Sequence, residues 1–281
     1  MLPKTSDYEL GSLVAQYFPR YGVAIGTFSI IRNRRSQMIL ERRFLTAEWR
    51  NLVMLNYEID PAILAGRVPA VCELDTWRGH TFVSVVGFQF IHTRVLGIPI
   101  PFHRHFEDVN LRFYVRRKAE GTWRRDVVFV KELVPRRAIA SVARRVYGEN
   151  YVALPMRHSV DSFTDSGSVT VAYQWQRLGT WEGLSASFSG SPVLPPDEAE
   201  ETFITEHYWG YSRQRDHSTV EFQVEHPRWR VWRAATASLE CEVSSLYGPE
   251  FVDALSDSPS TAFVADGSRV VVHTARRMIP S

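Results

Sequence analysis

Lys131 and Glu132 stand where an apolar run should continue, which makes them the residues best suited to chemistry. The run before them, Val127-Val128-Phe129-Val130, is apolar on both faces of any strand it forms, so both faces must be covered. Burying a lysine lowers its proton affinity and prepares the amine for Schiff-base chemistry. Burying a glutamate raises its proton affinity and prepares it to act as acid or base. Successive strand residues point to opposite faces, so in a closed sheet one of the two faces inward. The plainer reading is an end-of-strand pair, one side chain at the rim and the other bonded to an arginine.

Other groupings are weaker. His103, His105 and Glu107 would share one side of an extended segment, and imidazole with carboxylate suits zinc or iron. A polar entrance to a strand explains them more simply, and no metal is assigned. Arg136-Arg137 and Arg144-Arg145 sit on or beside a short helix after Pro135, and one residue of each pair can share a face. A solvated helix face accounts for them first, an anion subsite second. Apart from Lys4, Lys118 and Lys131 every basic residue is Arg, so amine chemistry must use one of three side chains or the N-terminus. Phosphate loops of the GxxxxGK[ST] or GxGxxG type and the GxSxG nucleophile elbow are absent.

The elements that position these residues read as mostly β. Phe106 to Arg116 alternates, with Val109, Leu111, Phe113 and Val115 on one face and Asp108, Asn110, Arg112 and Tyr114 on the other. Arg125 to Val134 is the next strand; the helix from Pro135 runs to about Tyr147 and stops at Gly148. Upstream, Trp49 to Ile59 is a strand, Asp60-Pro61 opens a short helix, and Arg78-Gly79 joins two strands as a hairpin. Downstream, strands are expected at 157–163, 169–177, 179–189, 208–213, 219–225 and 230–241. Ser244 to Leu255 reads as a helix, and Ala262 to Arg276 as a hairpin turning at Asp266-Gly267. Residues 1–40 follow a different pattern and are either an N-terminal arm or a start placed too early, with Met38 the alternative. Residues 41–281 read as one domain.

Composition bounds the rest. At 281 residues, 44% hydrophobic and 12% aromatic, the chain can bury a sizeable core. A net charge of +2 favours neither nucleic acid nor a polyacidic partner. No apolar run approaches the roughly 18–20 residues of a membrane span. Two distant cysteines, Cys72 and Cys241, fit a reduced cytoplasmic protein. The oligomeric state stays open, with a homo-oligomer compatible.

Four segments together resemble the YqjF-like family of uncharacterised bacterial proteins: FLTAEWRNLVMLNYEIDPAIL (44–64), FEDVNLRFYV (106–115), VVFVKELVPRRAIASVARRVYGENYVALPMRH (127–158), and ETFITEHYWGYS (201–212) with VEHPRWRVWRA (224–234). That family is in turn similar in fold to acetoacetate decarboxylase. The resemblance implies an α+β, mostly β fold: an antiparallel β-barrel with a few peripheral helices and a central pocket. In the decarboxylase a strand Glu helps position a Schiff-base lysine within a GRE-aromatic-G-x-P-K-K segment. Ala143 to Tyr151 looks like that segment and Glu107 like the strand Glu, but Asn150-Tyr151 or Val152 stands where the lysine pair would be. Lys131 lies on the preceding strand and does not match it.

The resulting expectation is a small-molecule pocket lined by Glu107, Asn110, Arg112, Glu132, Arg145 and Tyr151. Glu132 or Tyr151 would do acid/base work on a carboxylated or oxygenated organic substrate, with Arg112 or Arg145 as the anion partner. A non-catalytic binding module using the same pocket is the alternative, and an arginine-mediated binder without a pocket a weaker third. No cofactor or membrane enters these readings, and the two pocket readings involve no nucleic acid; salt-dependent nucleic-acid binding would speak for the third.

Overall fold

Period-two alternation governs most of the chain, and a computed structural model describes residues 42–146, 148, 150–163, 167–214 and 216–278. The first half runs through β1 (Arg43–Glu58), helix α1 (Pro61–Leu64), β2 (Glu73–Leu74), β3 (Phe82–Val95), β4 (Ile98–Pro99), β5 (Phe106–Ala119) and β6 (Thr122–Val134). Helix α2 (Arg137–Val146) and β7 (Tyr151–Ala153) follow. After them come β8 (Met156–Phe163), β9 (Ser168–Arg177), β10 (Thr180–Ser189) and helix α3 (Glu200–Thr205). The chain closes with β11 (Trp209–Arg213), β12 (Thr219–Glu225), β13 (Val231–Arg233), β14 (Thr236–Glu240), β15 (Thr261–His273) and β16 (Arg276–Met278).

Seven of these strands make a ring in the order β15-β1-β3-β5-β6-β11-β12, which closes where Val224 of β12 pairs with Val272 of β15. Neighbours are antiparallel except that β11 and β7 each pair parallel with β6. A second antiparallel sheet, β14-β10-β9-β8, covers one flank of the ring. Closing the ring removes exposed sheet edges. The fold is thus α+β and mostly β, as expected. No helix among the described residues is long and apolar enough to cross a membrane.

The two faces of β5 divide the molecule. Val109, Leu111, Phe113 and Val115 turn outward into a core shared with Val171, Tyr173, Trp175, Leu184 and Ala186 of the second sheet. The alternate residues, Asp108, Asn110, Arg112 and Tyr114, therefore turn into the ring. Strand β6 begins with the same discipline, with Val127 and Phe129 inward and Val128 and Val130 in the outer core. There a β-bulge intervenes: Leu111 pairs with Lys131 but Arg112 with Phe129, so Val130 has no opposite residue. One extra residue reverses the parity of everything after it. Lys131 joins Val130 on the outer face, where its Nζ donates to the Leu246 carbonyl, and Glu132 turns inward.

Several local expectations are corrected. Asp266-Gly267 is a bend inside the continuous strand β15 and not a turn. Gly267 (φ 80°) pairs with Arg50, beside Asn51 (φ 54°), and a Cβ on Gly267 would lie 2.0 Å from the Trp49 carbonyl oxygen. Glycine is needed there because the strands approach too closely for a side chain. Arg78-Gly79 does turn the chain, but β2 pairs with β5 and not with β3. The segment 243–255 is broken into Val243–Leu246, a 3₁₀ turn Pro249–Phe251 and Val252–Leu255, with Gly248-Pro249 as the break. Residues 1–40 lie outside the described residues.

Leu111 is fully buried in the core between ring and second sheet. Leu111→Ala should lower the unfolding free energy by about 2–5 kcal/mol, read from urea denaturation midpoints. A change under about 1 kcal/mol would mean that the two layers are not packed as described.

Candidate functional site

A cavity of about 110 Å³ occupies the ring interior. It is smaller than the roughly 150 Å³ hole that accepts benzene, so it suits a ligand of at most about half a dozen non-hydrogen atoms. One wall is apolar and largely aromatic. Trp49 packs on Phe88 at 5.0 Å and on Phe90 at 5.8 Å between ring centroids, and His226 stacks on Trp229 at 4.2 Å. The opposite wall carries Asp108, Asn110, Arg112, Glu132, Tyr151 and His207.

Four of the six expected lining residues thus meet here. Asn110 and Arg112 come from the inner face of β5, and Glu132 arrives through the bulge of β6, directly opposite Asn110. Tyr151 comes from β7, which pairs parallel with β6 so that Tyr151 lies beside Glu132. Glu107 does not join them. It belongs to the odd-numbered, outward face of β5, and its carboxylate lies 2.7 Å from His158 Nδ1 on β8. The parity of the strand that admits Asn110 and Arg112 excludes it. Arg145 is on α2, and its side chain lies outside the described residues. Lys131 is outside the cavity; burial, with the nearby charges of Arg177 and Arg67, lowers its proton affinity.

Two cavity residues not singled out as chemical have displaced proton affinities. Asp108 is buried and forms no ion pair among the described residues. Loss of solvent pushes its pKa up to about 7, against the opposing pull of the Asn110 Nδ2 hydrogen bond (3.0 Å) and the Arg112 charge. His207 is buried and held well below the ordinary histidine range by desolvation and by the charges of Arg125 and Arg112. Its Nδ1–H donates to the Ile204 carbonyl at 3.4 Å, which leaves Nε2 as a bare acceptor. Asp108 was legible as the polar partner of Asn110 and Arg112 in the alternation. His207 gave no signal, since its segment carries no periodic pattern.

Arg112 is the cation of the wall. Its guanidinium lies 5.8 Å from the Tyr114 ring, and it makes no ion pair with any described residue. Below it the Tyr114 hydroxyl begins a chain of hydrogen bonds inside the ring. Tyr114 meets Ser84 Oγ at 2.6 Å, Ser84 donates to Asn56 Oδ1 at 2.7 Å, Asn56 donates to Thr261 Oγ1 at 3.1 Å, and Thr261 donates to Glu200. These bonds satisfy the buried hydroxyl and amide groups and fix the floor under Arg112.

Among the described residues no group of three or more His, Cys, Asp or Glu is arranged to hold a metal ion. His103 Nδ1 is instead 2.8 Å from the Pro101 carbonyl, and Glu107 pairs with His158. Cys72 and Cys241 are both free thiols. A second buried acid, Asp126, sits outside the cavity between Glu221 and the arginines 117 and 124. Burial and the Glu221 charge push its pKa up to about 8.

The comparisons with known proteins agree with this fold. A profile of the DUF2071 family, described as an uncharacterized conserved protein, matches residues 46–269. The chain is 26% identical over 205 residues to the uncharacterized protein YqjF of Bacillus subtilis, covering 70% of this chain and 78% of that one. Among solved structures, acetoacetate decarboxylase from Legionella pneumophila superposes with a TM-score of 0.57 at 12% identity, covering 92% of this chain and 98% of that one. The enduracididine biosynthesis enzyme MppR complexed with pyruvate gives 0.58 at 12% identity, covering 91% and 98%. The likeness to the solved structures establishes the fold.

The folded chain holds a proton on Asp108 up to about pH 7 that an unfolded chain releases near 3.8, and one on Asp126 up to about pH 8. Stability from these protons is complete below about pH 4 and is lost as pH rises toward 7 and 8. Asp108→Asn and Asp126→Asn should each flatten the decline of Tm between pH 4 and 8. Slopes identical to that of the unmodified protein would show that neither acid is protonated in the fold.

Proposed function

Because the chain belongs to the DUF2071 family and has an acetoacetate-decarboxylase-like fold, we propose that its ring cavity is the site for a small carboxylated or oxygenated organic molecule. The observation that carries this reading is Arg112, a cation in the wall of a small, largely aromatic cavity with no carboxylate at ion-pair distance among the described residues. An anionic ligand supplies the missing partner, and its apolar body lies against Trp49, Phe88 and Trp229. The cavity volume limits that body to a few carbons. A similar fold that is known with pyruvate bound adds support for a ligand of this size. In this reading residues 41–281 act as one domain, since ring and second sheet share a core.

Glu132 and Tyr151 are neighbours on β6 and β7 at the cavity wall, and they do acid/base work on the bound molecule if the protein is an enzyme. None of the lining residues among the described ones is a lysine, which favours chemistry without a Schiff base. A non-catalytic binding module is the second reading, favoured by the aromatic half of the lining.

Calorimetric titration with short-chain carboxylates of four to six non-hydrogen atoms should show saturable binding. Arg112→Met should weaken it by about tenfold or more, the loss of one charge-assisted hydrogen-bonding group. Undiminished binding by Arg112→Met would remove Arg112 as the anchor. Turnover lost in Glu132→Gln with binding retained would separate the enzyme from the binding module.

A further inference from the structure

Two buried carboxyl side chains, Asp108 and Glu132, share the cavity wall and flank one asparagine. Asn110 lies opposite Glu132 in the β5–β6 register and two residues from Asp108 on the same face of β5. Directly opposite residues of an antiparallel pair are about 5 Å apart and diagonal ones about 7–8 Å. Both side chains line the same small cavity, so one ligand in it meets both. Asn110 donates to Asp108, orienting it, and Arg112 follows on the same face.

Asp108 is enclosed, takes one neutral hydrogen bond and has no cation within ion-pair reach among the described residues, so it keeps its proton near neutrality. Glu132 arrives from the neighbouring strand, beside Tyr151. Two carboxyls in the wall of one small cavity, the first oriented by Asn110 and the second beside Tyr151, are placed as an acid–base pair is. Lys131, which precedes Glu132 on β6, is turned away from the cavity by the bulge.

We propose that Asp108 and Glu132 act as an acid–base pair that enolises a small 2-oxo carboxylate without a lysine adduct. The proposal rests on the cavity being a carboxylate site with Arg112 as anchor. The Glu132 carboxylate takes a proton from the carbon next to the carbonyl, and the C–H electron pair becomes the new carbon–carbon double bond. The carbonyl π pair moves to oxygen and takes the Asp108 proton. Asp108 ends as carboxylate and Glu132 as acid; reversal restores both and returns a solvent-exchanged hydrogen to carbon. No oxidant, reductant or co-reactant is needed.

The test is loss of the C3 proton signal of pyruvate in heavy water, followed by proton NMR with the full chain, alongside calorimetric binding of the same compound. Exchange well above the protein-free blank is expected. Asp108→Asn and Glu132→Gln should each slow it at least about a hundredfold while binding changes only a few-fold. Lys131→Met, outside the cavity, should leave it unchanged. In the unmodified protein exchange should fall as pH rises through about 7, where Asp108 loses its proton. The other titratable or charged groups facing it are Arg112 on its own strand, Glu132, Tyr151, His207 and His226. Both histidines are held below their ordinary range and stay neutral through that window. This pH profile remains decisive if a variant fails to fold. Binding without exchange, exchange insensitive to pH around 7, or exchange lost in Lys131→Met would overturn the acid–base pair alone. Absence of binding would overturn the carboxylate site as well.

Discussion

The structure depends on one extra residue in β6. Up to Phe129 the strand obeys simple alternation, and its apolar residues fill both the ring interior and the layer between ring and second sheet. At Val130-Lys131 the bulge shifts the register by one, and the polar pair is dealt to opposite sides. Without the bulge Lys131 would face inward and Glu132 would enter the apolar layer beside Val128 and Val130. An unpaired carboxylate there would cost far more than the bulge itself. The ladder accepts a local defect so that the glutamate has a polar wall to join.

The inward face of β5 is the other half of that wall, and its cost is managed locally. Four polar residues at alternate positions would strain an ordinary core. Here Asn110 donates to Asp108, the Tyr114 hydroxyl is held by a chain ending on Glu200, and Arg112 faces the cavity. Asp108 meets the remaining cost by keeping its proton and not by pairing with a cation. The outward face of the same strand supplies the apolar contact that holds the two layers together. One strand therefore serves both stability and site, and neither face can shift register without inverting the other.

Much of this was legible in the chain. The alternation in 106–116 gave both faces of β5 correctly, and the interruption at Lys131-Glu132 marked the place where the pattern breaks. Which of the two faces inward was not legible, because a bulge is a property of paired strands and one strand read alone cannot reveal it. Glu107 was misplaced although its odd number groups it with Val109 and Leu111; resemblance to a strand glutamate outweighed parity there. His207 was invisible for a different reason. It lies in the link between α3 and β11, and only the parallel pairing of β11 with β6 brings it against Tyr114. Asp266-Gly267 shows the same limit, since a dipeptide typical of turns is used here as a bend within a long strand.

The most direct measurement is a crystal structure of the protein soaked with a short-chain oxo carboxylate. The account predicts density inside the ring, its carboxylate on the Arg112 guanidinium, its body against Trp49 and Phe88, and Asp108 and Glu132 within hydrogen-bonding distance of its other end. Density at Lys131, or a ligand bound anywhere on the outer face of β5 and β6, would contradict it.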